Sequence, residues 1–131
     1  VSGAAGGAPD VGTVVGFDAA RLRNMALGAE DLTPVAVAVP EWGGTFYVRA
    51  MTGAERAAYE SYVQGAGKGA NETRERLVAL GVCDAEGNRV FRDSDVAVLQ
   101  QKSAAALDRL LDVILDVNGL SASAAEEEEK N

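Results

Sequence analysis

Residues able to do chemistry are sparse in this chain, and their spacing suits few reactions. Histidine is absent from all 131 residues. That removes Ser-His-Asp and Cys-His nucleophilic systems and most zinc sites. Gly65-Ala66-Gly67-Lys68-Gly69 has the glycines and lysine of a phosphate loop. Such a loop needs G-x-x-x-x-G-K-[S/T] between a strand and a helix. Here a helix is expected before it and Gly69 follows the lysine, so a flexible inter-helix loop is the better reading. Asp84, Glu86 and Asn88 alternate around Gly87 in a faint echo of a calcium loop. An EF-hand places its glycine sixth and a glutamate twelfth; counted from Asp84 the glycine comes fourth, which is turn chemistry. Cys83 stands alone between Val82 and Asp84. A neighbouring carboxylate raises a thiol pKa, so a buried structural thiol is expected. Asp93 with Asp95, or Glu55 with Glu60, could pair for acid–base work. Nothing places them in a cleft, and caps or solvated faces account for them. No catalytic, cofactor-binding or metal-ligating residue is assigned, and the chain reads as a binding protein, not an enzyme.

The remaining candidates are apolar groups in exposed-looking places, and the elements that carry them follow from pattern. Val35, Val37 and Val39 alternate with Ala36 and Ala38, a strand with β-branched residues on one face. Pro40-Glu41-Trp42-Gly43-Gly44 is a turn, and Thr45 to Ala50 is a second strand. Phe46 and Val48 then lie on one side of the hairpin and Tyr47 and Arg49 on the other. Two readings of Trp42 stand side by side: it folds back to cap the core, or it anchors a partner, a role in which tryptophan is enriched. Phe46, Tyr47 and Tyr59 join Trp42 as candidate partner contacts. The hairpin edge is open to another strand. A lone hairpin is marginal in water, so it must pack on helices or pair with another chain.

Helices are predicted around it. Asp18 caps a short one, Ala19 to about Gly28, with Leu22, Met25 and Ala26 on one face; so short a helix needs something to dock on. Thr52-Gly53-Ala54-Glu55 fits a capping box for a helix to about Val63. Asn71 caps another to about Leu80, with Leu77 and Leu80 inward and Arg74 and Arg76 mostly outward. Val82 and Cys83 lead into a small turn or hairpin through Arg89-Val90-Phe91. Asp93 or Ser94 caps a short helix through about Gln101. Ser103 caps Ala104 to Val117, where Leu107, Leu110, Leu111, Ile114 and Val117 recur at helical spacing. Asn118-Gly119 stops it. The expected fold is α+β, an N-terminal β-hairpin on a small bundle of short helices with a longer C-terminal amphipathic helix. Residues 1–16 are expected to be a disordered Gly/Ala-rich extension, 17–120 a single domain, and 121–131 an acidic tail or frayed helix.

Composition narrows the partners. Hydrophobic residues make up 47% but aromatics only 5%, so the core must be aliphatic and rich in small side chains. Modest stability and self-association fit such a core. Twenty acids against twelve bases give −8, a field that repels nucleic acid. Arg21 with Arg23 and Arg74 with Arg76 are short basic clusters near acids, best read as solvated helix faces. One cysteine makes no internal disulfide, the start lacks a secretory pattern, and no apolar run approaches a membrane span. A cytosolic protein binding neither nucleic acid nor membrane is expected.

Three blocks carry a family resemblance. Pro40-Glu41-Trp42-Gly43-Gly44 with Val48-Arg49-Ala50-Met51-Thr52-Gly53-Ala54-Glu55-Arg56 is the first. Val82 to Phe91 with Asp93, Asp95 and Val96 is the second, and Lys102-Ser103 with Ala104 to Leu107, continuing to Asn118-Gly119-Leu120, is the third. In this order, and with the closing Glu-rich run into Lys130-Asn131, residues 34 to 131 resemble the tail assembly chaperones of long-tailed bacteriophages. The Gly/Ala-rich start departs from that pattern. The resemblance implies a protein that binds the long helical tape measure protein, keeps it soluble and helps recruit major tail protein. It implies work in the host cytoplasm, absence from the mature virion, and in many members a longer frameshifted form. A homo-oligomer is compatible with it. Helix-in-groove capture is the expected mode. A structural tail or connector protein retained in the virion is the alternative; a carboxylate enzyme and a host adaptor domain are more distant ones.

Overall fold

The computed structural model describes residues 17–66 and 72–120. The extension 1–16, most of the Gly65–Gly69 loop, the Asn71 cap and the tail 121–131 lie outside the described residues. The chain divides into two compact units at Asp31/Leu32.

In the first unit, helix α1 spans Ala19–Gly28. Asp18 caps it, its Oδ1 accepting from the Arg21 N–H at 2.9 Å. The Arg21 guanidinium lies 4.4 Å over the Phe17 ring. No residue of α1 is buried.

The second unit begins with β1 (Val35–Val39), a 3-10 turn (Pro40–Trp42) and β2 (Gly44–Val48). Gly43 takes φ 83, the left-handed conformation a side chain would resist, and so closes the turn. The strands pair antiparallel with Val37 opposite Phe46 and Val35 opposite Val48. Val37, Val39 and Val48 are buried on that shared face. Pro34 and Pro40 bracket β1, which is an edge of the sheet.

Helix α2 (Gly53–Ala66) opens on the expected capping box. Thr52 Oγ1 accepts from the Glu55 N–H at 3.1 Å, and Glu55 Oε1 accepts from the Thr52 N–H at 2.9 Å. The helix passes the anticipated stop near Val63 and continues through Gly65, because one glycine costs only about 1 kcal/mol in a helix. Helix α3 (Thr73–Gly81) follows, its N-cap position held by Glu72.

Strand β3 (Val82–Cys83) pairs antiparallel with β2, giving the sheet order β1-β2-β3. Of the hairpin's two edges, the one on β2 is therefore filled by the chain itself, and the one on β1 remains an edge. Cys83 also bridges to Arg89 around the 84–88 turn. In that turn Asp84 Oδ1 accepts from the Glu86 and Asn88 N–H groups, both at 2.9 Å, and Gly87 takes φ 92. These bonds hold the Asp84 carboxyl below its ordinary range. Turn chemistry accounts for the alternating oxygens.

The stretch anticipated as one short helix to Gln101 is a 3-10 turn (Asp93–Asp95) and a four-residue helix α4 (Val96–Leu99). The first position is held by Asp95, whose Oδ2 accepts from the Arg92 N–H at 2.8 Å, not by a cap from Asp93 or Ser94. Helix α5 (Ala104–Val117) matches its expected limits. Ser103 caps it, and its end is a Schellman motif: Leu120 N–H donates to Leu115 O at 2.7 Å and Gly119 N–H to Asp116 O at 3.1 Å, with Gly119 at φ 69.

Leu107, Leu110 and Ile114 are fully buried along one stripe of α5, against α3 and the valine face of the sheet. Gly81 allows α3 its approach: a Cβ there would lie 2.9 Å from Ile114 Cγ1. The buried core is aliphatic, and the aromatics sit at its margin. The architecture is α+β, a three-stranded antiparallel sheet with five α-helices among the described residues.

Candidate functional site

The 3-10 turn after β1 delivers Trp42 back toward β2. Its ring meets Phe46 edge-on, centroids 5.3 Å apart at 74°, and meets Phe91 at 6.3 Å and 78°. These are the preferred aromatic geometries. Phe46 shares the valine face of β2, while Phe91 arrives from the segment after β3. Leu99 of α4 is almost fully buried, and Lys102 stands exposed just before α5. Together Trp42, Phe46, Phe91, Leu99 and Lys102 line a groove of about 210 Å³. The three rings are half-buried: each packs on the core and leaves surface open to the groove.

One ion pair holds the turn. Arg109 of α5 grips the Glu41 carboxylate with both terminal nitrogens, Nη2 reaching Oε2 at 2.9 Å. The Arg109 hydrogen bonds, with the residue's own backbone amide, bring the Glu41 pKa down to about 2. Fork-to-fork pairing of this kind fixes orientation as well as distance.

The other two candidate contacts sit elsewhere. Tyr47 lies on the opposite face of β2 from Phe46, across from Cys83. Tyr59 of α2 lines a smaller pocket with Tyr62, Arg76 and Asp93. Burial there pushes its hydroxyl pKa up. The Arg76 guanidinium carbon is 3.9 Å from the Tyr62 ring centroid, and Nη2 donates to Glu72 at 3.2 Å, so this arginine is half-sheltered and not simply outward. Arg74 joins α3 to α5 through Asp108 at 3.0 Å. The structure thus brings Trp42 and Phe46 together, leaves Tyr47 and Tyr59 apart, and adds Phe91, Leu99 and Lys102. Hairpin geometry made the first pair legible. The additions come from segments distant in sequence whose meeting no local pattern announces.

Behind the sheet, Arg49 is buried at 8% exposure. Its Nη1 and Nη2 donate to the two Glu55 oxygens at 2.9 and 3.0 Å, and Nε donates to Gly87 O at 3.0 Å. The Arg49 hydrogen bonds hold the Glu55 carboxyl below its ordinary range. The pair locks the end of β2, the α2 capping box and the 84–88 turn together. Cys83 lies beside it at 1% exposure, its thiol pKa raised by burial, as a structural thiol.

Among the described residues no cluster of three or more His, Cys, Asp or Glu is placed to hold a metal ion. No described helix is long and apolar enough to cross a membrane.

Comparison with curated proteins returns no match in sequence. Among solved structures the chain is similar to the tail assembly chaperone of bacteriophage HK97. The TM-score is 0.57 and the identity 20%, covering 76% of this chain and 95% of that one. That likeness is one of fold. The family model described as phage tail assembly chaperone matches residues 21–131, nearly the whole chain. Fold and family model agree, and the chain belongs to the phage tail assembly chaperone family.

Proposed function

We propose that the protein holds the tape measure protein soluble during tail assembly and helps bring major tail protein subunits to it. The aromatic groove carries this reading. Four apolar side chains converge on one open depression beside a core that is otherwise aliphatic and sealed. An amphipathic client helix presents apolar residues at i, i+3, i+4 and i+7, and two or three of them fit such a groove. Aromatic anchors supply most of the binding energy in surfaces of this type. Tyr47 and Tyr59 extend the contact only for a client that wraps beyond the groove.

The place of action is the host cytoplasm, with the protein leaving before the particle is complete. Co-expression with tape measure fragments is the test. The soluble fraction of the fragments rises with the wild-type chain and falls back with Trp42→Ala, provided circular dichroism shows that variant folded. Equal aggregation with and without the wild-type protein overturns the proposal.

A further inference from the structure

Lys102 is the one charged side chain among the five that line the groove. Six of the seven arginines of the second unit, at positions 49, 56, 74, 76, 89 and 109, are engaged in ion pairs, and the seventh, Arg92, does not line the groove. Lys102 makes none among the described residues, and it is the charged side chain lining the groove. Glu41, the acid next to Trp42, is committed to Arg109. In a chain of net charge −8 the groove therefore combines an apolar floor with one unspent cation.

We infer that the groove selects a client helix whose apolar stripe is flanked by a carboxylate, with Lys102 meeting that carboxylate. This rests on the reading of the groove as the client site and names the chemistry of its occupant. Segments of this chain fit less well. Helix α1 exposes Leu22, Met25 and Leu27, but its charges are Arg21 and Arg23, which Lys102 repels. The 126–129 glutamates carry the right charge, but the segment from Ser121 onward has no large apolar side chain. A foreign helix with both properties is the better occupant.

Trp42 is the sole tryptophan, so its fluorescence reports on the groove directly. The test titrates the full chain with Ala-based helical peptides. Each carries Leu at i, i+3, i+4 and i+7 and either Glu, Gln or Lys beside the stripe. Wild type binds the Glu peptide roughly two- to five-fold more tightly than the Gln peptide, as an exposed ion pair allows, and the Lys peptide least. The preference shrinks at high salt. Lys102→Gln levels the ranking and Lys102→Glu inverts it. Equal binding of all three by wild type, or an unchanged ranking in Lys102→Glu, overturns the inference. So does Trp42 emission that changes with protein concentration alone, which assigns the groove to a second copy. Silence toward every peptide while tape measure fragments are still solubilised removes this groove and spares the chaperone proposal. The expected ranking with no effect on those fragments does the reverse.

Discussion

At the scale of the residue, the Arg49–Glu55 pair has the largest consequence. Removing one partner strands the other charge in a largely buried site, which costs about 3–5 kcal/mol. Glu55→Ala is expected to lower the urea midpoint accordingly, whereas Glu60→Ala, in an exposed pair with Arg56, changes it by less than about 0.5 kcal/mol. The pH dependence has a definite sign. Glu55 titrates below its ordinary value of 4.5 in the folded chain. Its stabilisation is therefore fully present above about 4.5 and is lost as pH falls through the folded value. Gly81 is the second sensitive residue. Gly81→Val drives a branched side chain into fully buried Ile114 and is expected to cost about 1–3 kcal/mol by overpacking, read by thermal unfolding.

At the scale of the element, the turn that carries Trp42 depends on α5. Arg109→Ala frees Glu41, so Trp42 fluorescence is expected to become more exposed and more easily quenched while far-UV circular dichroism stays unchanged. In the wild type this clamp persists through the ordinary carboxylate range and opens only as pH falls toward about 2, where Glu41 protonates. At the other end of α5, Asn118 accepts from the Met51 N–H at 2.9 Å and donates to Ile114 O at 2.8 Å. Asn118→Ala leaves a buried amide unpaired and should cost about 1–3 kcal/mol in denaturant unfolding. Elements with their own signals were legible from the chain: the valine alternation of β1, the Thr52/Glu55 box, and Ser103 to Gly119 with its apolar stripe. Strand β3 was not, because two residues hold no period and their partner in β2 is more than thirty positions away. The run of α2 through Gly65 was missed because packing outweighs a single weak helix former.

At the scale of the whole molecule, low aromatic content predicted an aliphatic interior, and the fully buried side chains bear this out. It did not predict that three of the seven large rings, Trp42, Phe46 and Phe91, would gather at one margin. Their meeting depends on how the hairpin, the post-β3 segment and α4 come together around one groove, which is tertiary information. The second unit contains its own core, while α1 buries nothing. Truncation to residues 32–131 is therefore expected to shift the thermal midpoint by only a few degrees. Mass spectrometry of purified virions tests the proposed departure before completion: stoichiometric copies in the particle would favour a structural component.

The two prolines around β1 have a consequence for a protein proposed to handle sticky polypeptides. A bare sheet margin invites a stranger strand to add itself, and addition can repeat without end. Pro34 and Pro40 offer no amide hydrogen, so any such graft is confined to the five residues between them. On the opposite flank the sheet narrows to the two residues of β3. The fold thus leaves the rings of the proposed client groove partly exposed while giving an extended polypeptide only a short template to copy.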